Sequence, residues 1–209
     1  MERLTWARIE AALAARPPAR VTEPVAARAA VALILREGRG GLEILLIRRA
    51  DHPQDPWSGQ MAFPGGRAEP GDQDLRSTAI RETAEEIGVD LASGAECLGT
   101  LDEVRAMARM RPVSLTILPF VFRVNGPVEP APGSEVRSVH WIPLDLLLAA
   151  ERRSVMDYAQ EGATLQFPCL RVDDVVIWGL TYRMLVGLEE RIPPGEACLP
   201  PPSSAGLPG

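Results

Sequence analysis

The segment from Gly66 to Val89, GRAEPGDQDLRSTAIRETAEEIGV, constrains this chain more than any other. Its centre is Arg81-Glu82-Thr83-Ala84-Glu85-Glu86-Ile87-Gly88. On a helix turning about 100° per residue, Glu82 and Glu86 fall one turn apart on one face, with Glu85 beside them. Carboxylates crowded in this way repel each other and cost helix stability unless a cation neutralises them. Carboxylate oxygens suit a hard divalent ion such as Mg²⁺ or Mn²⁺. Ile80, Ala84 and Ile87 form an apolar side expected to pack on a core, and Gly88 is placed to end the helix. The pattern predicts a helix over Leu75 to Ile87, entered from a turn-rich loop.

Glutamate-rich helix faces are commonly solvated surface, so the carboxylates alone decide nothing. The preceding loop adds the needed constraint. It carries Phe63-Pro64-Gly65-Gly66 and then Pro70-Gly71-Asp72. A glycine pair lets backbone approach a ligand closely, and it leaves the Gly66 carbonyl free to coordinate an ion. Arg81 lies one turn before Glu85 and is placed to hold that carboxylate. Loop, acidic face and arginine together specify a metal-bearing helix. Glu82 and Glu86 are the first ligands, Glu85 is the next, and the Gly66 carbonyl completes the set.

The segment resembles the Nudix box, whose pattern is G-x5-E-x7-R-E-U-x-E-E-x-G-U with U aliphatic. Gly66 supplies the first glycine, and Arg81, Glu82, Glu85, Glu86, Gly88 and Val89 match the second half. Asp72 stands at the first acidic position, with eight residues rather than seven before Arg81, and Thr83 replaces an aliphatic residue. The resemblance implies an α/β fold, a Nudix-type α/β/α sandwich with a mixed β-sheet. It also implies a metal-dependent hydrolase of a nucleoside diphosphate linked to another group. Glu82, Glu85, Glu86 and Gly66 are then the metal positions, and Arg81, Glu82 and Glu85 belong to the catalytic set.

The spacing is similar to that of the coenzyme A pyrophosphatase branch, where the same one-residue expansion is usual. That branch carries L-L-T-x-R-[S/A]-x3-R-x3-G-x3-F-P-G-G upstream. This chain has Leu45-Leu46-Ile47-Arg48-Arg49-Ala50 and Gly59-Gln60-Met61-Ala62-Phe63-Pro64-Gly65-Gly66. Ile47 replaces the threonine, Gln54 falls where the second arginine is expected, and the gap to Gly59 is one residue longer. The implied substrate is coenzyme A or an acyl-CoA. ADP-ribose, a dinucleotide or a nucleotide sugar stays open, as does a silent nucleotide-sensing domain. The intact Arg81-Glu82-x-x-Glu85-Glu86 argues against the last.

A later loop often supplies a base or further ligand in this family, and Glu135 in Gly133-Ser134-Glu135-Val136 is the candidate. A solvent-facing loop acid is the competing reading. Asp102 and Glu103, at a strand end, are weaker candidates for the same task. Arg48 and Arg49 alternate along a strand, so only one can face the site, and the resemblance favours Arg49. Arg67 is placed to reach a substrate phosphate, with Gly65 and Gly66 offering backbone beside it. Arg109 and Arg111 lie in a methionine-rich loop that could contact the rest of the substrate. Trp57 or Phe63 could stack on a base, although packing is the commoner fate. His52 and His140 show no metal spacing.

The remaining chain frames a single domain. Its 209 residues suffice for one core plus appendages. A net charge of -6 and the lack of a basic stripe exclude general nucleic-acid affinity. Cys97, Cys169 and Cys198 are odd in number and widely spaced, which fits a reducing cytoplasm. No stretch has the length to span a membrane. Met1 to Arg16 reads as an amphipathic helix whose Glu2 and Glu10 count against a targeting role. Residues 1–24 form that helix and a linker, 25–192 the Nudix domain, and 193–209 a disordered tail rich in proline, serine and glycine.

Strands are expected at Ala29–Leu35, Leu42–Arg48, Cys97–Val104, Leu115–Val124 and Val136–Trp141. Residues 36–41 are read as a turn and Ala50 to Gly71 as a long loop. Helices follow at Leu144–Glu151 and Leu180–Arg191. A homodimer, common in the family, would use the first or the last helix.

Overall fold

A computed structural model describes residues 3–53, 55, 57–108, 111–160 and 163–193. The longest apolar run becomes the central strand. Strand β1 (Ala27–Gly38) and strand β2 (Gly41–Arg49) form an antiparallel hairpin, closed with Gly38 opposite Gly41. The expected six-residue turn shrinks to Arg39-Gly40, because Arg36 and Glu37 pair with Glu43 and Leu42. Strand β7 (Arg111–Val124) runs parallel to β1, while β5 (Ala95–Thr100) and β6 (Val104–Ala108) pair antiparallel with β7. The expected strand over Cys97–Val104 is therefore two strands. Strand β8 (Val136–Pro143) pairs with β2.

The expected long loop holds two short strands, β3 (Met61–Ala62) on β2 and β4 (Gly65–Arg67) on β1. Among the described residues the sheet is thus mixed and has eight strands. Both its faces are covered, which is why β1 reads as continuous apolar sequence rather than as alternation. Ala30, Ala32 and Ile34 face helix α2 (Leu75–Ile87) and the short α3 (Leu91–Gly94). Ala29, Leu33 and Leu35 face the larger core, with α1 (Trp6–Ala14), α4 (Leu144–Leu147) and α5 (Gly179–Glu189). The chain is an α/β/α sandwich.

A second, antiparallel sheet was not anticipated: β9 (Arg153–Gln160), β10 (Ala163–Val172) and β11 (Val175–Trp178). It also shortens the expected helix over Leu144–Glu151. Arg153 must be extended to pair with Leu170, so the helix stops at Leu147 and a 3₁₀ turn, Ala150–Arg152, leads into β9. Ile9 and Ala12 of α1 are fully buried, Ile9 within the larger core. Among the described residues no helix is long and apolar enough to cross a membrane. Of the proposed tail, only Pro193 lies within the described residues.

Candidate active site

Helix α2 has the expected bounds because its end signals are local. Asp74 caps the start by accepting from the Ser77 N–H at 2.7 Å, and Ser77 Oγ accepts from the Asp74 N–H at 3.0 Å. Gly88 ends it at φ 68°, donating to the Ala84 carbonyl at 2.9 Å. Its packed side differs from the expected one. Ile87 is buried and Ile80 packs half-buried on the core, as expected, but Ala84 is exposed, and Ala79 and Thr83 are buried. The Thr83 hydroxyl is satisfied inside the helix, donating to the Ala79 carbonyl at 2.7 Å.

Glu86 is the buried acid of the cluster, with its side chain only 6% exposed. It accepts from the Gly65 N–H at 2.9 Å and lies 3.9 Å from Arg49 Nη1. Burial pushes its carboxyl up to about 7, against the pull of the Gly65 amide and Arg49, and the charges of Glu82 and Glu135 push the same way. Burial likewise raises Glu82, which Arg81 partly offsets.

The two glycines do different work. Gly65 sits at φ 147°, and a Cβ there would lie 2.2 Å from the Ala30 carbonyl oxygen. Gly66 leaves space for Glu82, whose carboxylate atoms fill the position a Cβ would take, at 2.4 to 2.5 Å. A glycine is therefore required at Gly65 by backbone and at Gly66 by the Glu82 side chain.

Arg81 organises the acids. Nη1 donates to Glu82 Oε1 at 3.0 Å and to Glu85 Oε2 at 2.9 Å, and Nη2 donates to the Arg67 carbonyl at 3.1 Å. Nε and Nη2 also clasp Asp72. That pairing holds the Asp72 carboxyl well below the usual range, helped by the Glu69 N–H and the Thr78 hydroxyl. Asp72 faces Arg81 from the loop and does not line the cavity.

One cavity of about 430 Å³ gathers Glu82, Glu85, Glu86 and Glu135 with Arg49, Arg67, Arg81, Gly65 and Gly66. The strand alternation sends Arg49 towards it, where Nε also donates to Asp55 at 2.8 Å, and Arg48 away to the Asp174 carbonyl at 3.2 Å. Trp57 and the buried Phe63 line the same cavity. Asp55 and Glu69 also line the cavity, and pattern reasoning missed both. The only signal for Asp55 is its place in the insertion between the two signature blocks.

Asp102 and Glu103 lie elsewhere. Asp102 accepts from Arg16, Ala19 and Arg191, and Glu103 accepts from the Val21 N–H at 3.0 Å. Both tie the N-terminal segment to the sheet. Arg111 opens β7, in a hairpin with β6 rather than a free loop, and Arg109 lies outside the described residues. His140 Nε2 is 2.8 Å from Ser138 Oγ.

No three acidic, histidine or cysteine side chains among the described residues form a ready-made metal cage. Arg81 draws Glu82 and Glu85 towards itself while Glu86 turns to Gly65. The donor set still fits a hard divalent ion. It offers six carboxylates around one cavity, Asp55 and Glu69 among them, and no thiolate or imidazole.

A family model described as the NUDIX domain matches residues 26–159. A protein of Yersinia pestis (strain Pestoides F) described as an uncharacterized Nudix hydrolase, NudL, is 34% identical over 151 residues, covering 71% of this chain and 72% of that protein. Its counterpart in Yersinia pseudotuberculosis serotype O:1b (strain IP 31758) matches to the same extent. Among solved structures, a MutT/nudix family protein from Enterococcus faecalis superposes with a TM-score of 0.56 at 16% identity, over 90% of this chain and 70% of that one. That likeness concerns the fold alone.

Proposed function

This chain belongs to the Nudix family as a pyrophosphohydrolase, and from that premise we propose that it cleaves the diphosphate bond of coenzyme A or an acyl-CoA. The observation that carries the hydrolytic reading is the convergence of Glu82, Glu85, Glu86 and Glu135 on one cavity that Arg49 and Arg67 also line. The branch signature around Arg49 and Phe63-Pro64-Gly65-Gly66 favours coenzyme A among nucleoside diphosphates.

Nudix hydrolases generally use divalent metal ions. Mg²⁺ or Mn²⁺ would be held by Glu82, Glu86 and Glu85, with the Gly66 carbonyl as a further donor. Such an ion would neutralise the diphosphate, stabilise the leaving phosphate and make water more acidic. The chain's own residues do the rest. Arg49 and Arg67 bind phosphate oxygens, and Gly65 and Gly66 let the backbone come close to them. Arg81 fixes the positions of Glu82 and Glu85. Glu135, in the loop whose Gly133 N–H donates to the Glu86 carbonyl at 2.8 Å, takes the proton of the attacking water.

The test is incubation with a panel of diphosphate compounds in Mg²⁺ or Mn²⁺, with products separated by chromatography. Coenzyme A is expected to give 3′,5′-ADP and 4′-phosphopantetheine. Cleavage of ADP-ribose, a dinucleotide or a nucleotide sugar with coenzyme A left intact would replace the substrate and keep the chemistry.

A further inference from the structure

Arg81 and Arg49 are each clasped by an aspartate from a loop, with different results. Asp72 holds Arg81, whose Nη1 still reaches Glu82 at 3.0 Å and Glu85 at 2.9 Å. Asp55 holds the Nε and Nη2 edge of Arg49, each nitrogen lying 2.8 Å from Asp55 Oδ2. Arg49 Nη1 then stops 3.9 Å from Glu86 Oε1, beyond hydrogen-bond reach. Among the described residues, Asp55 and Glu86 are the two carboxylates in ion-pair range of this guanidinium.

Asp55 is the fixed member of its pair, because its own turn holds it. Its N–H donates to the His52 carbonyl at 3.1 Å, and its carbonyl accepts from the Ser58 N–H at 3.2 Å. Asp55 Oδ1 accepts from the Trp57 N–H at 3.0 Å, which orients the carboxylate and leaves Oδ2 for Arg49. Arg49 is a long side chain with many rotamers, so its position depends on what pairs with it. The alternative partner is Glu86. Its Oε2 accepts from the Gly65 N–H, while Oε1 accepts no hydrogen bond among the described residues. Without Asp55, the guanidinium would close the gap from 3.9 Å to the distance of about 2.8 Å at which a charge-assisted hydrogen bond forms. A buried carboxylate paired in that way holds its cation firmly. An ion would then have to displace Arg49 before it could use Glu86.

We propose that Asp55 is a positioning residue that keeps Arg49 from collapsing onto Glu86, so that Glu86 stays open to a divalent ion and the remaining N–H groups of Arg49 stay open to a substrate phosphate. The inference rests on the reading of Glu86 as a metal ligand and Arg49 as a phosphate ligand, and adds a residue that acts through the second on the first.

The test measures Mn²⁺ binding by the full chain without substrate, from the electron paramagnetic resonance signal of free Mn²⁺. Asp55→Asn keeps an oxygen for the Trp57 N–H and turns an NH₂ group towards Arg49 in place of the charge. Its Kd for Mn²⁺ is expected to rise about tenfold, the weight of one charge-assisted hydrogen bond. In an Arg49→Gln background, where no guanidinium is present to move, the same change is expected to alter Kd less than about twofold. An equal rise in both backgrounds overturns the proposal, since Asp55 would then bind the ion itself or only support the loop. No rise in either overturns it as well. Asp55→Ser keeps a turn-capping oxygen without the charge and runs the same cycle if the asparagine variant does not fold. Glu86→Gln, measured in parallel, separates the two readings. If it binds Mn²⁺ as tightly as wild type, the assignment of Glu86 fails and the proposal with it. If it binds weakly while the cycle shows no coupling, the role of Asp55 fails alone.

Discussion

The Arg81 guanidinium grips the Asp72 carboxylate as a fork, Nε to Oδ1 at 2.9 Å and Nη2 to Oδ2 at 3.0 Å. This pairing accounts for the expanded spacing of the motif. Asp72 precedes the cap residue Asp74, so it is not on the helix, and an extra residue in that loop shifts the turn without moving Arg81. Asp72 thereby acts on Glu82 and Glu85 through the arginine they share. Asp72→Asn is expected to lower stability by about 1–3 kcal/mol and to reduce kcat more than it alters KM. Urea unfolding and steady-state kinetics check this, and an unchanged kcat would show that Arg81 needs no anchor.

Alanine at the two glycines is expected to separate folding from activity. Gly65→Ala forces a Cβ onto the Ala30 carbonyl at an unfavourable φ, with an expected loss of about 3 kcal/mol or more. Gly66→Ala meets only the movable end of Glu82, so the melting temperature is expected to shift by a few degrees while kcat falls about 100-fold. Equal losses of stability in the two variants would contradict this division.

Thr83 is expected to tolerate the aliphatic residue that the motif calls for. The site is fully buried, and the Ala79 carbonyl that accepts its hydroxyl also takes a backbone bond in the helix ladder. Thr83→Val leaves no orphaned acceptor and should change unfolding free energy by less than about 1 kcal/mol, whereas Thr83→Ala should cost more by opening a void. Chemical denaturation of both variants measures the difference.

Asp102 predicts a pH effect. Its carboxyl is held below the usual range chiefly by Arg16, with the Ala19 N–H and Arg191 adding to it. A folded value below the unfolded one means that the stabilisation is complete above about pH 4 and is lost as pH falls through the folded value. The contribution is about 1–2 kcal/mol because the pair is partly exposed. The stability gap between wild type and Asp102→Asn should therefore be widest near neutral pH and close below pH 4. A gap that stays constant into acid would contradict the assignment.

These residues also show what is readable from sequence. The motif helix is legible because Asp74, Ser77 and Gly88 act on neighbours only a few positions away. Its rotation is less so: Glu86 is drawn inward by Gly65, 21 positions earlier, which buries Thr83 and exposes Ala84. The glutamates, Arg49 and the glycines are legible as a set because each has a charge or a conformation that a core does not need. Asp55 is not, since only the fold of the insertion brings it to Arg49. The β9–β11 sheet escapes for a related reason. The aromatic cluster of Tyr158, Phe167 and Trp178 is spread over three strands, and its pattern appears only once their register is known.

The most direct test is the rate at which coenzyme A is hydrolysed in Mg²⁺ or Mn²⁺ by wild type and by Glu86→Gln. The glutamine keeps the shape of the side chain and an oxygen to accept from Gly65, so only the charge is removed. The expected result is metal-dependent turnover in the wild type and a loss of at least about 100-fold in the variant, with the fold intact. Full activity in Glu86→Gln would contradict the assignment of the buried carboxylate as a metal ligand.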